Sequence, residues 1–481
     1  MSDSFLSTPR PNIVVMKFGG TSVEDAAAIQ RTVSIVSGRA ERGLRPVVVV
    51  SAMAKVTDQL LACAAAAYAG RGDKDVAFEV SARLRARHLD TASQLATGER
   101  LHTLHAGLDS HFDTLDELLH GIAALGELTL RTNDLVVSFG ERLSSIMVAA
   151  AFQEQGTQGV YVDARTCIIT DNTHGKAAPN ELAIEAALAE FVLPIVEDGN
   201  IPVMGGFIAS TLKGTTTTLG RGGSDYTAAL VGGGLHAGAI EIWTDVNGIM
   251  TADPRICPDA LRVKTISFEE AAELAYFGAK VLHPATILPA VQKNIPVWVL
   301  NSRNPENEGT KITAVPAPCS SPFKSIAVKK RLTIIDIVAS RMLLAHGFLK
   351  AVFDVFDKHK CAIDMVSTSE VSISVTVDSN EALQPICEEL RQIADVQYEG
   401  AKALICLVGE DIRGHAGIAA QVFTAVQHVN LRMISQGASE INMSFMIDEQ
   451  DVEEAVRSLH KRFFFAPDET VFDVEARAVT A

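Results

Sequence analysis

An apolar run, Ile13-Val14-Val15-Met16, leads directly into Lys17-Phe18-Gly19-Gly20-Thr21-Ser22, and a helical pattern follows. The order reads as strand, tight glycine turn, helix N-terminus. That geometry aims free backbone N–H groups and the positive end of a helix dipole at whatever sits above the turn. A lysine entering the turn adds a full positive charge beside the dipole. A second stretch, Gly214-Thr215-Thr216-Thr217-Thr218-Leu219-Gly220-Arg221-Gly222-Gly223-Ser224-Asp225, concentrates hydroxyls, glycines, one arginine and one aspartate, and is too polar for a core segment. The two stretches together point to an anionic, phosphorylated ligand and to phosphoryl chemistry.

From Asn12 to about Asn301 short β-branched runs alternate with longer helical stretches. Pro46–Ala52, Ile201–Gly206, Ala239–Asp245 and Ile295–Leu300 read as strands. Nearly continuous apolar runs of this length suit strands covered on both faces, and the alternation predicts an α/β sandwich with a mainly parallel sheet. Ala62 to Leu128 is helical in pattern and broken at Gly70-Arg71-Gly72. Pro316-Ala317-Pro318-Cys319-Ser320-Ser321-Pro322 then interrupts the pattern as a linker. Beyond it lies an ungapped internal repeat with a period of 70 residues. Gly347 matches Gly417, Val352-Phe353 matches Val422-Phe423, Ser369-Glu370 matches Ser439-Glu440, Ser374 matches Ser444, and Asp378 matches Asp448. Each copy reads as βαββαβ, which makes an antiparallel sheet with helices on one face. The domains expected are therefore 12–305, a linker at 306–328, and two repeats at 329–400 and 401–475.

Composition narrows the partners. A formal charge of −16 argues against nucleic acid, which needs clustered positive charge. No apolar run reaches about 18 residues without a charge or a turn breaker, and the first twelve residues lack a signal-peptide core, so no membrane association and a cytoplasmic location are expected. The seven cysteines form no C-x-x-C pair and lack metal-site spacing, as suits reduced, mostly buried thiols. No metal-ligating set stands out.

Each candidate residue has a bland reading beside the chemical one. Ser22-Val23-Glu24-Asp25 fits a capping box. Asp225 fits the N-cap of a helix starting at Tyr226, yet it also suits orienting a lysine or reaching Mg²⁺. The Gly214–Asp225 loop lacks Walker A spacing and must hold its ligand otherwise, with Arg221 able to grip a carboxylate or phosphate bidentately. Gly232-x-Gly234 follows a helix, the wrong context for a dinucleotide fingerprint. Glu141 follows an apolar strand-like run and suits either an ammonium group or a surface ion pair worth little. Thr244-Asp245 and Ser51-Ala52-Met53, near Thr57, sit where buried strands end, the place where α/β proteins bind ligands. His283, beside Pro284, reads as a helix-end residue.

In order along the chain, K-F-G-G-T-S-V, F-G-E-R-L-S, G-R-G-G-S-D-Y-T-A-A, I-W-T-D-V-N-G-I, T-A-D-P-R and F-G-A-K-V-L-H-P resemble the aspartate kinases, and the repeat resembles the pair of ACT domains that ends such enzymes. The resemblance covers nearly the whole chain. It implies a three-layer αβα sandwich of the amino acid kinase (carbamate kinase-like) type plus two α+β ferredoxin-like ACT domains. It also implies ATP- and Mg²⁺-dependent phosphorylation of the L-aspartate β-carboxylate to 4-phospho-L-aspartate, the first step towards lysine, threonine and methionine. By the same resemblance Lys17 and Asp225 are catalytic, and Thr57, Glu141, Arg221 and Ser224 hold aspartate. Lys17, Gly19, Gly20, Thr244, Asp245, Met250, Arg255, Lys280 and Val281 meet the nucleotide, with Met250 standing where relatives often have tyrosine.

Feedback by lysine is implied through Met342, Phe348, Leu349, Ile363, Asp364, Thr368, Ser369 and Glu370, in a homodimer joined by ACT domains, with a tetramer as the alternative. Leu344, Ala345 and Ala362 depart from the polar residues of lysine-inhibited relatives, which removes hydrogen bonds. A carboxylate is ionised at pH 7 and needs no general base, consistent with the lack of a histidine- or cysteine-centred cluster. The rival readings are a non-catalytic amino-acid sensor, another carboxylate kinase of the same fold, and a kinase–dehydrogenase fusion, for which a chain ending at 481 leaves no room.

Overall fold

The computed structural model describes residues 9–70, 74–278, 284–339, 347–378 and 382–474. Contacts divide the chain into two units, one of residues up to Ile249 together with Val281–Pro316, the other of Met250–Lys280 together with the chain from Ala317 onward.

Within the first unit seven strands lie in one sheet: β1 (Arg10–Phe18), β2 (Arg45–Val50), β3 (Gly159–Val162), β4 (Ile201–Gly205), β5 (Ala237–Thr244), β6 (Val297–Asn301) and β7 (Thr310–Thr313). Their spatial order is β7-β6-β5-β1-β2-β4-β3. Every pair is parallel except β6–β7. From β1 the chain steps to β2 on one side, and β5 later arrives on the other, so the strand order reverses at β1. In open α/β sheets the crevice at such a reversal, outside the carboxyl ends, is where ligands bind.

The sheet is covered on both faces, as its unbroken apolar strands require. Helices α1 (Ala26–Glu41) and α2 (Phe139–Glu154) share one core with Val14, Met16 and Phe18 of β1 and with Val48 and Val50 of β2. The other face takes α3 (Gly223–Leu235), where a Cβ on Gly232 would lie 2.6 Å from Ile240 Cδ1, so only glycine lets this helix lie so close to the sheet. The stretch 62–128 folds as the helices Val56–Ala69, Lys74–Ser93 and Gly98–Leu125, interrupted near Gly70 as expected.

Three local expectations are corrected. The glycine turn leads into a short 3₁₀ turn, Gly20–Ser22, and α1 begins only at Ala26, capped by Asp25, which accepts a 2.8 Å hydrogen bond from Ala28 N. Ser22 caps nothing, because it is buried and its hydroxyl is hydrogen-bonded to that of Ser302 at 2.7 Å. Leu135-Val136-Val137 is helical rather than strand-like, and with α2 it forms an apolar stretch, Leu130–Glu154, long enough to cross a bilayer. Most of that stretch is buried in the protein core. The seven cysteines are free, and five are buried.

The second unit carries the repeat in one antiparallel sheet. Its strands are β8 (Ser325–Val338), β9 (Ile363–Thr368), β10 (Ser372–Asp378), β11 (Asp395–Val408), β12 (Met433–Gln436) and β13 (Asn442–Asp448), in the order β9-β10-β8-β11-β13-β12. The helices are α4 (Phe348–Lys358), α5 (Leu383–Leu390), α6 (Ile418–Ala425) and α7 (Val452–Phe463). The two copies do not make separate sheets: β11 closes the first copy and opens the second. The period of 70 is visible in the backbone. β10 and β13 superpose end to end on it, and Gly347 and Gly417 both open their helices in the left-handed region. Arg331 and Ala401, also one period apart, take φ of 61° and 52° beside the register shifts of β8 and β11.

Candidate active site

Alternation along β1 decides which layer each side chain enters. Val14, Met16 and Phe18 face the core under α1 and α2, whereas Val15 faces α3. Lys17 shares the face of Val15 and therefore meets the first turn of α3, where its Nζ lies 2.6 Å from Asp225 Oδ1. Asp225 does not take the helix-cap position that was the alternative to its pairing with a lysine. Gly222 holds that position in the left-handed region, which frees the carboxylate for Lys17. The pair is mostly buried, with side-chain exposures of 11% and 14%.

The glycines beside Lys17 carry backbone bonds that tie three strand ends together. Gly19 N donates to Trp243 O at 3.0 Å, Ala54 N donates to Gly20 O at 3.2 Å, and Gly206 N donates to Val50 O at 2.8 Å. Close approach explains two glycines at the end of β4. A Cβ on Gly205 would sit 2.9 Å from Glu141 Cβ, and one on Gly206 would sit 2.7 Å from Ser224 Cα. The junction thus clamps α2 and α3 to one point.

Glu141 lies in the first turn of α2 and is 3% exposed. Desolvation pushes its carboxyl up to about 8, although hydrogen bonds from the backbone N–H groups of Ala52 and of Glu141 itself pull the other way. Its Oε2 has no hydrogen-bond partner. A buried carboxylate with one open oxygen is an acceptor prepared for a cationic donor, because a bound ammonium would restore its charge. The surface ion pair with Arg142 is not formed; that guanidinium lies 4.6 Å from the centre of the Phe139 ring.

Lys17, Gly20, Thr57, Glu141, Ser224 and Asp225 line one cavity of about 400 Å³. Ser51–Met53 and Gly220, Gly222 and Gly223, from two stretches that the sequence marks as ligand-facing, complete its wall together with Ala54, Lys55, Asp58 and Phe207, which the sequence reading does not single out. Two of these, Lys55 (φ 68°) and Phe207 (φ 65°), hold left-handed backbone without being glycine, a conformation that sequence patterns do not announce. Arg221 is exposed and does not line the cavity, although Gly220 and Gly222 on either side of it do. Gly19, Thr244 and Asp245 are not in the wall either. A Cβ built on Gly19 would lie 3.8 Å from Lys17 Nζ, and Thr244 Oγ1 donates to Asp245 Oδ1 at 3.3 Å at the end of β5.

The remaining expected nucleotide residues belong to the second unit or fall outside the described residues. Met250 pairs with Arg262 in an isolated bridge, and its carbonyl accepts from Ser325 Oγ at 2.7 Å. Arg255 is exposed and grips Asp253 through Nε and Nη2, at 3.0 and 2.6 Å. Lys280 and Val281 lie outside the described residues, as does Met342 of the effector set. Of the other effector candidates, Phe348 and Leu349 open α4, Ile363 and Asp364 start β9, and Thr368, Ser369 and Glu370 form its exposed end. Asp364 is already engaged, since Lys329 Nζ donates to its Oδ1 at 2.8 Å.

Comparison with known proteins follows the same division. The model of the amino acid kinase family matches residues 12–301, and an ACT domain model matches 335–386 and 405–463. The lysine-sensitive aspartokinase 3 of Escherichia coli is 37% identical over 469 residues, which covers 94% of this chain and 99% of that protein. Crystal structures of E. coli aspartokinase III, one with aspartate and ADP in the R-state and one with lysine and aspartate in the T-state, superpose with TM-scores of 0.80 and 0.81 at 36% identity. Each comparison covers 94% of this chain and all of the other.

Proposed function

Since the chain belongs to the amino acid kinase family and is an aspartate kinase, we propose that the cavity beside Lys17 binds L-aspartate with its β-carboxylate turned toward the terminal phosphate of ATP. The observation that carries this reading is the convergence in one cavity of the Lys17–Asp225 pair with the open oxygen of Glu141. Glu141 receives the substrate ammonium. The hydroxyls of Thr57 and Ser224 stand in the same wall for a carboxylate. Arg221 sits between two glycines at φ 77° and 72°, a pair of pivots that lets the loop carry its guanidinium over the bound amino acid.

The β-carboxylate is already an anion, so the barrier is repulsion between anions and the charge of the transferring phosphoryl group. Lys17 Nζ supplies positive charge there, and Asp225 holds that ammonium in place. The Gly19–Gly20 turn, whose Gly19 N–H is spent on Trp243 O, and the end of β5 at Thr244-Asp245 flank the nucleotide side. Among the described residues no three His, Cys, Asp or Glu side chains converge. Mg²⁺ therefore fits as an ion carried by the ATP phosphates, with single carboxylates such as Asp245 within the same strand-end region. When bound, it neutralises charge on the β- and γ-phosphates.

The ACT unit supports feedback by a pathway amino acid, and we favour lysine, which the T-state E. coli structure contains. Asp364 is the carboxylate suited to the effector ammonium, in competition with Lys329. Dimerisation through this unit and a cytoplasmic location belong to the same proposal. The test is ADP release from ATP with L-aspartate, repeated with lysine, threonine and methionine. Release that ignores aspartate would remove the substrate assignment, and indifference to millimolar lysine would remove the effector.

A further inference from the structure

The threonine run Thr216-Thr217-Thr218 lies in the stretch that the sequence marks for an anionic ligand, yet none of the three lines the cavity. Their side chains are buried, and each is spent on a different element. Arg165 Nη1 donates to Thr216 Oγ1 at 3.2 Å, and the hydroxyls of Thr217 and Thr170 lie 2.7 Å apart. Thr218 Oγ1 donates to Asp134 Oδ1 at 2.6 Å. Asp134, on helix Leu130–Val137, is 1% exposed. Its Oδ2 accepts from Gly175 N at 3.0 Å and from His174 Nδ1 at 2.8 Å.

A buried carboxylate is costly unless its oxygens are hydrogen-bonded. Asp134 spends its bonds on the two segments that flank Gly220. Thr218 precedes that glycine by two residues, and a Cβ on Gly220 would lie 3.2 Å from Gly175 O. Gly220 and Gly222 are the left-handed pivots of the loop, so the reach of Arg221 is set by the last fixed residue before them. On that fixed side Leu219 N donates to Phe207 O at 3.0 Å, and Phe207 N donates to Thr227 Oγ1 of α3 at 2.9 Å. The start of the loop is thereby tied to the helix that carries Ser224 and Asp225. We propose that Asp134 is a positioning residue: through Thr218 and Gly175 it holds the Gly220–Gly222 loop where it can close on the amino acid, and so sets affinity for that substrate without touching it. The nucleotide side, at the ends of β1 and β5, does not depend on it. The inference rests on the aspartate kinase reading above.

Asp134→Asn keeps the shape and removes the charge, whereas Thr218→Val keeps the shape and removes the donor. Each should raise KM for aspartate about tenfold, because a loop in place about one-tenth of the time lowers apparent affinity by that fraction. KM for ATP, and kcat at saturating aspartate, should stay within about twofold, since substrate draws the loop back into place. Thr218→Ser keeps the hydroxyl and should restore the wild-type KM. The double variant should show no larger a rise than Asp134→Asn alone, because both changes delete the same bond. A merely structural carboxylate would instead lower the melting temperature and the yield of active enzyme and leave both KM values at wild type. That result in Thr218→Val overturns the proposal even if Asp134→Asn fails to fold, as do KM rises that multiply in the double variant. Failure of the underlying reading would look different, since the wild-type enzyme itself would then show no aspartate-dependent ADP release.

Discussion

In the proposed mechanism two side chains divide the chemistry at the site, and each makes its own prediction. Lys17→Met removes the positive charge opposite Asp225, and kcat for aspartate-dependent ADP release should fall by about 100-fold or more, the scale of losing a charge-stabilising group, while circular dichroism stays native. Glu141 predicts a pH dependence. Its carboxyl, pushed up to about 8 by burial, carries a proton in the free enzyme below that pH, and a substrate ammonium prefers it ionised. Wild-type kcat/KM for aspartate should therefore climb as pH rises towards about 8. Glu141→Gln should flatten this limb and raise KM.

The same shift has a sign for stability. A folded value above the ordinary 4.5 means that the stability contributed by this group is full below 4.5 and is lost as pH rises towards about 8. The ligand-free Glu141→Gln protein should thus gain melting temperature over wild type at pH 8 but not at pH 4. Lys17, Asp225 and Glu141 were legible because each sits in a short motif whose local order, strand to glycine turn or loop to helix, survives folding. Lys55 and Phe207 were not, since only the folded backbone reveals their positive φ.

At the scale of elements, the periodicities predicted the right layers and missed the caps. Four apolar runs became strands of the parallel sheet as read, and the 70-residue repeat reappeared as strands and helix starts in register. The start of α1 was placed too early, because Ser22 had a buried partner, Ser302, 280 residues away that no local pattern contains. Leu135–Val137 looked like a strand because short apolar runs do not distinguish a buried helix from a buried strand. The junction of β4, α2 and α3 gives the element-scale test. Gly206→Ala puts a Cβ 2.7 Å from Ser224 Cα, backbone that cannot swing away. It should cost about 1–3 kcal/mol in denaturant unfolding and raise KM for aspartate by displacing the start of α3. An alanine variant with unchanged stability and kinetics would mean that this junction is loosely packed.

At the scale of the whole molecule, the segment Met250–Lys280 matches the kinase family model in sequence and belongs by contact to the ACT-containing unit. A fully buried ion pair fastens it there, with Lys324 Nζ 2.9 Å from Glu270 and exposures of 0% and 2%. Asn442 Nδ2 adds a 2.7 Å bond to Glu273. Lys324→Met strands the Glu270 charge and should destabilise this unit by about 3–5 kcal/mol, while Lys324→Met with Glu270→Leu should recover much of the loss. Sequence could not show this, because the segment's motif, T-A-D-P-R, belongs to the kinase pattern and its partners lie beyond the linker. In the same unit Lys329 holds Asp364 at 2.8 Å; under the proposal that lysine is the effector and meets Asp364, Lys329→Ala should lower the lysine concentration needed for half-inhibition, read directly from an inhibition curve.

The central claim is that one cavity beside Lys17 joins an acidic amino acid to the terminal phosphate of ATP, and trapping the product with hydroxylamine tests it most directly. The account predicts aspartyl hydroxamate and ADP in equal amounts from wild-type enzyme with ATP and L-aspartate, and neither above background from Lys17→Met. ADP formed without hydroxamate, or a Lys17→Met enzyme that turns over normally, would contradict it.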